Sequence, residues 1–166
     1  MHQKQTALNL CSILGKIKDF KRTGWLVRNI NNPESDADHM FSTTFLAMMF
    51  TPPELNKEKC LELALCHDLQ EIYSGDFIPG AISASDKYQI ERKSIEKLAQ
   101  ELDYPKLISL FEEFEAQATE EAKFTKLLDK LDTAVTACYY DFNHRGDKPL
   151  IEEFCSHAEE EIKKNQ

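Results

Sequence analysis

His67 and Asp68 stand side by side in the stretch LELALCHDLQE. Leu61, Leu63, Ala64 and Leu65 cover nearly the whole circumference of a helix there, the pattern of a buried element. Removing an imidazole and a carboxylate from water at such a place is costly unless they pair or share a cation. Glu71 follows His67 by one helical turn and lies on the same side. Taken alone, a His-Asp dipeptide reads most simply as a hydrogen-bonded core histidine. Two further positions change that reading: His39, directly after Asp38 in the first turn of another apolar helix, and Asp132, in KFTKLLDKLDTAVTACYY. Along that last segment Phe124, Leu127, Leu128, Leu131, Val135 and Cys138 form an apolar stripe. At about 100° per residue, Asp132 falls at the edge of the stripe and Asp129 turns further towards solvent. Asp132 is therefore the carboxylate expected to reach the interior, and Asp129 is expected at the surface.

Two imidazoles and two carboxylates from three helices make a mixed nitrogen and oxygen set. Such a set suits one divalent first-row ion, Mn²⁺, Fe²⁺, Co²⁺ or Zn²⁺, with Mg²⁺ as the remaining candidate. The thiolates of a closed structural zinc site are missing. Four protein ligands leave room for water and a substrate oxygen, and a metal there acidifies the water and polarises a phosphoryl group. Glu71 is placed to orient or deprotonate that water.

The elements that must position these residues read as helices. Five glycines in 166 residues, and no Asn-Gly or Asp-Gly turn between alternating apolar runs, argue against an all-β fold. The first helix is expected over 4–19, with Ala7, Leu10, Cys11, Leu14 and Ile17 on its apolar stripe. Ser35, with Asp38 three residues on, is an N-cap for a second helix, which Pro52-Pro53 stops. Asn56 caps a third from Lys57 to about Tyr73. Ser74-Gly75-Asp76 and Pro79-Gly80 then mark a loop. Helices over 86–102 and about 105–116 follow, then one capped by Thr119 reaching Tyr140 or beyond, and a final one over about 149–164. Without a repeat or a dividing linker, the chain reads as a single compact all-α domain over residues 1–166.

Twenty basic against 29 acidic residues give a net charge of −9, which argues against a nucleic-acid or membrane-surface partner. The longest apolar run, FLAMMF, is far short of a membrane span. The N-terminus lacks the basic-then-apolar build of a signal peptide. Five cysteines without a CxxC pair read as reduced thiols in a cytoplasmic protein. Residues 1–30 run against the overall charge: Lys4, Lys16, Lys18, Lys21, Arg22 and Arg28 face Asp19 alone. That is either the solvated face of one helix or a basic edge for a small anion.

The order His39, then His67-Asp68, then Asp132 resembles the HD-domain metal-dependent phosphohydrolases. The segments RTGWLVRN, PESDADHM, LALCHDLQEIYSGDF and KLLDKLDTA are similar to the HD-domain 5′-deoxynucleotidases, from about Lys16 to about Tyr140. The resemblance implies an HD-type helical bundle that hydrolyses (deoxy)ribonucleoside 5′-monophosphates to nucleoside and phosphate, with a homodimer as its assembly and the C-terminal helix as one place for the contact. It implies His39, His67, Asp68 and Asp132 as metal ligands and Glu71 as general acid/base. Asp76 falls near the deoxyribose, or is a turn residue after Gly75. The family's phosphate-binding Arg lies just before a Trp. Here Arg22-Thr23-Gly24-Trp25 separates the two, so Arg22 and Arg28 are both candidates, with Arg22 preferred. Trp25 either walls the sugar pocket or anchors the core. The alternatives are an HD-type hydrolase of a nucleoside triphosphate, cyclic nucleotide or alarmone, an inactive nucleotide-binding protein, and a helical structural protein.

Overall fold

The computed structural model describes residues 2–78, 80–146, 150, 153, 154, 156 and 160. Among these run α1 (His2–Asp19), α2 (Thr23–Leu26), α3 (Asp36–Phe50), α4 (Lys57–Cys66), α5 (Glu71–Ser74), α6 (Ala84–Leu102), α7 (Lys106–Ala116) and α8 (Glu120–Phe142). The β pairing among the described residues is one antiparallel bridge, Lys21 with Ser35. The fold is all-α, and none of these helices is long and apolar enough to cross a membrane.

Local chemistry sets most helix starts. At α3 the Ser35 hydroxyl accepts from the Asp38 amide (3.2 Å), while Asp38 Oδ2 accepts from the Ser35 amide (2.8 Å). This reciprocal box satisfies two amides that would otherwise lack partners and fixes His39 in the first turn. Asn56, Ser83 and Thr119 cap α4, α6 and α8 through single side-chain bonds. α2 was not foreseen. The expected final helix over 149–164 falls largely outside the described residues, as does Cys155.

The structure departs from the expected pattern at two helices. The third helix does not run through to Tyr73. α4 ends at Cys66, and the chain tightens into three-residue turns, with Leu69 N to Cys66 O at 3.2 Å and Glu71 N to Asp68 O at 3.0 Å. The Gln70 side-chain amide donates to His67 O (2.9 Å), taking a carbonyl that a continuing helix would use. α1 buries Ile13 and Ile17, whereas Leu10, Leu14 and Cys11 of the expected stripe are exposed.

α4 packs between α3, α7 and α8. Ala47, Cys60, Ala64 and Leu128 fill the space between α3, α4 and α8. Leu63, Leu110, Phe114 and Ala122 fill that between α4, α7 and α8. Leu65 of α4, expected inside, faces solvent. Each buried Leu or Phe contributes about 1.5–3 kcal/mol. The fully buried alanines do something else: they let the helices approach closely. That closeness brings polar groups of α3, α4 and α8 to a common point.

Candidate active site

His39 and His67 meet across the gap between α3 and the end of α4. His39 Nδ1 is 2.7 Å from Asp132 Oδ2, and His67 Nδ1 is 2.8 Å from Ala64 O. A carbonyl oxygen only accepts, so His67 must carry its proton on Nδ1 and keep a lone pair on Nε2. His39, donating from Nδ1 to Asp132, is in the same tautomer. The two Nε2 atoms then face each other at 3.1 Å. Asp129 Oδ1 lies 3.2 Å from His39 Nε2, and Asp68 Oδ2 lies 3.4 Å from His67 Nε2 and 3.7 Å from His39 Nε2. Lone pairs from four side chains thus converge on one buried point, with Arg22 donating to Asp68 Oδ2 (2.7 Å) and Lys130 Nζ 3.1 Å from Asp129 Oδ2.

A donor set of this kind needs a cation at its centre, and a divalent metal fits it in number and type of ligand. His39, His67 and Asp129 offer atoms close enough to hold one together, and Asp68 stands beside them. Without a metal, a proton must serve. Burial and the neighbouring Arg22 would lower the pKa of His39, but hydrogen bonds to Asp129 and Asp132 outweigh both and raise it to about 9. His67, buried and beside a charged His39, is held below its ordinary value despite Asp68. Asp68 stays ionised: burial would raise it, but His67, Arg22 and His39 hold it well below the usual carboxylate range. Asp129 is held down likewise, burial being overcome by Lys130 and Lys126.

The expectation for Asp129 is therefore corrected. It is 4 % exposed rather than a surface residue, and it stands where Asp132 was expected. Asp132 is also buried, but on the far side of the His39 ring, where it fixes the tautomer and orientation of the imidazole. The stripe chosen from the sequence had the wrong phase. Leu131 and Val135 face solvent, while Ala122, Thr125, Leu128, Asp129, Asp132 and Ala137 face inward. The usable signal was the run of small residues, Ala and Thr, at the inward positions.

The cluster opens into a cleft of about 380 Å³, a size suited to a small molecule. Glu71 and Asp76 line it from the α4–α6 side, Arg22 and Arg28 from the segment around α2, and Lys126 and Lys130 from α8. Glu71 is buried, with Oε2 lacking a protein donor. Burial, then the charges of Asp68, Asp36 and Asp76, push its pKa well above the ordinary range. Asp36 was not singled out from the sequence, where it reads as an ordinary acid of a first helical turn. It is wholly buried with no hydrogen-bond donor on either oxygen, and burial with Asp68 raises it to about 7.

Arg22 does not wait free for a ligand. Its Nη1 donates to Asp68 Oδ2 at 2.7 Å and lies 3.9 Å from Asp36, so it spans the cluster and the acids behind it. Arg28 is held elsewhere, by the Gly24 carbonyl (2.7 Å) and Glu153. Trp25 is a core anchor, 2 % exposed, packed edge-on against Tyr140 and donating to Glu34 Oε1 (2.8 Å), and it is among the residues lining the cleft. Asp76 ties the chain together. Gly75, at φ 83, turns the backbone after α5 in a way side chains resist, and Asp76 Oδ2 then accepts from the Thr23 amide (2.6 Å). Cys66 takes no part, because its thiol donates to Glu62 O and burial pushes its pKa up to about 12.

Known proteins resemble this chain in sequence and fold. The HD domain family model matches residues 14–166. The 5′-deoxynucleotidase HDDC2 of Homo sapiens is 37 % identical over 149 residues, covering 87 % of this chain and 73 % of its own length. The 5′-deoxynucleotidase hdd1 of Schizosaccharomyces pombe is 35 % identical over 145 residues, covering 82 % and 73 %. Among solved structures, a Pyrococcus furiosus conserved hypothetical protein superposes with a TM-score of 0.79 at 29 % identity, over 94 % of this chain and 90 % of that one. A Pyrococcus horikoshii protein does so with a TM-score of 0.78 at 26 % identity, over 92 % and 87 %. With two histidines, an adjacent aspartate and a distal aspartate joined across three helices, the chain belongs to the HD-domain family.

Proposed function

We propose that this chain, one HD domain over residues 1–166, hydrolyses nucleoside 5′-monophosphates, preferentially deoxyribonucleotides, to nucleoside and phosphate. The observation that carries the reading is the meeting of two histidine Nε2 lone pairs with Asp68 and Asp129 at the floor of a nucleotide-sized cleft. Names of the relatives at 35–37 % identity support the choice of substrate.

His39, His67, Asp68 and Asp129 would hold one divalent ion, Mn²⁺, Fe²⁺, Co²⁺, Zn²⁺ or Mg²⁺, which when bound polarises the phosphoryl group and acidifies water. Asp132, expected as a ligand, acts instead by holding His39 through Nδ1. Glu71, buried at the cleft wall with a raised affinity for protons, moves the proton of the attacking water and returns one to the leaving nucleoside oxygen. Arg22, anchored on Asp68, lies beside the phosphoryl oxygens and offsets their charge through its planar fork. Arg28 braces the segment around α2. Asp76 bounds the sugar side of the cleft, together with Trp25, which also lines it.

The free thiols, among them exposed Cys11, fit a cytoplasmic protein. The charge of −9 fits a small-molecule substrate rather than nucleic acid or membrane. The assembly we propose is a homodimer.

Phosphate release is measured from a panel of deoxy- and ribonucleoside monophosphates with Co²⁺, Mn²⁺ or Mg²⁺ added. Release from deoxynucleotides above ribonucleotides supports the reading. Folded, metal-loaded protein that releases nothing from any monophosphate overturns it, and pyrophosphate or triphosphate as product points to another nucleotide.

A further inference from the structure

Asp36 is the first residue of α3, where an aspartate ordinarily faces water and favours the helix N-terminus. The Ser35–Asp38 box already caps that end. Asp36 is instead wholly buried, and no hydrogen bond reaches either carboxyl oxygen. A carboxylate taken out of water without donors is costly, and a nearby cation is what offsets the cost.

A short antiparallel pairing brings that cation to it. Arg22 N donates to Glu34 O (3.3 Å), Lys21 bridges Ser35, and Asp36 N donates to Phe20 O (3.0 Å). This register sets Glu34 opposite Arg22 and Asp36 at the diagonal position two residues on. Arg22 Nε then lies 3.8 Å from Glu34 Oε1, and Nη1 lies 3.9 Å from Asp36 Oδ1 and 2.7 Å from Asp68 Oδ2. Among the described residues, Arg22 is the basic side chain within ion-pair reach of Asp36, and its Nη2 donates to no acceptor. Arg22 and Asp68 line the cleft, whereas Asp36 does not.

We propose that Asp36 is a positioning residue for the phosphate grip: it holds the Arg22 guanidinium from behind, so that Nη2 stays directed at the phosphoryl oxygens. The role rests on the reading above that Arg22 meets the phosphoryl group. Asp36 and Asp68 draw on the same nitrogen, Nη1, and Glu34 steadies Nε, so three carboxylates fix one edge of the planar fork and leave the other for substrate. Without the charge of Asp36, nothing draws Nη1 away from Asp68, and the fork settles on the donor cluster instead. Because Asp36 lies outside the cleft lining, it acts through Arg22 and touches no substrate.

Steady-state kinetics of the metal-loaded protein test this, using the monophosphate cleaved fastest in the panel above and inorganic phosphate as competitive inhibitor. Asp36→Asn keeps the volume and removes the charge. It is expected to raise KM and the phosphate inhibition constant about 10-fold each, with kcat and calorimetric metal affinity within a few-fold of wild type. In an Arg22→Gln background the same substitution should change neither constant, because a residue acting through another then has nothing to act on. Asp36→Val, an apolar replacement suited to a buried place, should be at least as stable and show the same losses. Equal effects with and without Arg22, phosphate binding that is unchanged or tighter, or a lower Tm with KM unchanged, each overturns the role and leaves Asp36 a structural acid of α3. A folded, metal-loaded wild type that cleaves no monophosphate overturns the reading of the site, and this role with it.

Discussion

Replacing Asp129 and Asp132 one at a time tests which carboxylate completes the donor set. Asp129 Oδ1 lies 3.2 Å from His39 Nε2, on the side where His67 Nε2 also points, whereas Asp132 Oδ2 lies 2.7 Å from Nδ1. A unit negative charge held about 4 Å from a unit positive one contributes about 4 kcal/mol at an effective dielectric of about 20, on the order of 10³ in a binding constant. A doubly charged ion raises that figure, and the cost of taking Asp129 out of water lowers it. Asp129→Ala is therefore expected to weaken Mn²⁺ or Co²⁺ binding about 10³-fold. Asp132→Asn keeps an acceptor for the Nδ1 proton and loses only the charge behind it, a change that costs about 10–100-fold. Isothermal titration calorimetry on metal-stripped protein measures both constants, and circular dichroism checks that each variant is folded. Asp129→Asn, which preserves volume beside Lys126 and Lys130, guards against a loss caused by repacking. If Asp132→Asn proves as damaging as Asp129→Ala, the assignment of the two carboxylates is wrong.

Glu71→Gln should lower turnover about 10²–10⁴-fold and leave metal affinity within a few-fold, because it removes proton transfer and no ligand; equal loss of both would make Glu71 structural. Metal-free protein should lose stability with rising pH: the folded-state pKa of His39 is raised to about 9 from 6.5, so its contribution is complete below about pH 6.5 and disappears as pH passes through about 9. The difference is about 3 kcal/mol, read as a falling urea midpoint, and saturating metal should largely abolish the fall because the cation replaces the proton. A flat profile for the metal-free protein would contradict the facing lone pairs. Ser35→Ala removes one half of the capping box and should cost about 1 kcal/mol, a drop of about 2–4 °C in Tm measured by calorimetry. No shift there would mean that packing alone holds the start of α3.

The ends of helices were legible because they depend on neighbours in sequence. Ser35 with Asp38, Asn56 and Thr119 each bond to an amide three residues on, so spacing alone locates them. His39, His67, Asp68 and Glu71 were legible as charged groups in segments with little other reason to hold them. The break after Cys66 was not, because it depends on Gln70 turning back to the His67 carbonyl, a choice local propensity does not specify. The partner of Arg22 was out of reach as well: Asp68 is far along the chain, and only the approach of the segment around α2 to the end of α4 joins them.

The inward phase of α8 has a physical cause that lies in the site itself. An apolar stripe locates the core only when solvent covers the opposite side, and α8 is apolar on both. Asp129 can reach His39 only if α8 lies close to α3 and α4, and helix separation is set by the side chains between the axes. Ala122, packed with Leu63 and Phe114, and Thr125, beside Cys60, are wholly buried and keep that separation small. Large residues at those positions would push the axes apart and open the 3.2 Å approach of Asp129 to His39. The bulky Leu131, Val135 and Tyr139 are consequently excluded from the inside and collect on the outside. Enlarging Thr125 should therefore weaken metal binding, while placing a charge at half-exposed Val135 should leave metal affinity unchanged.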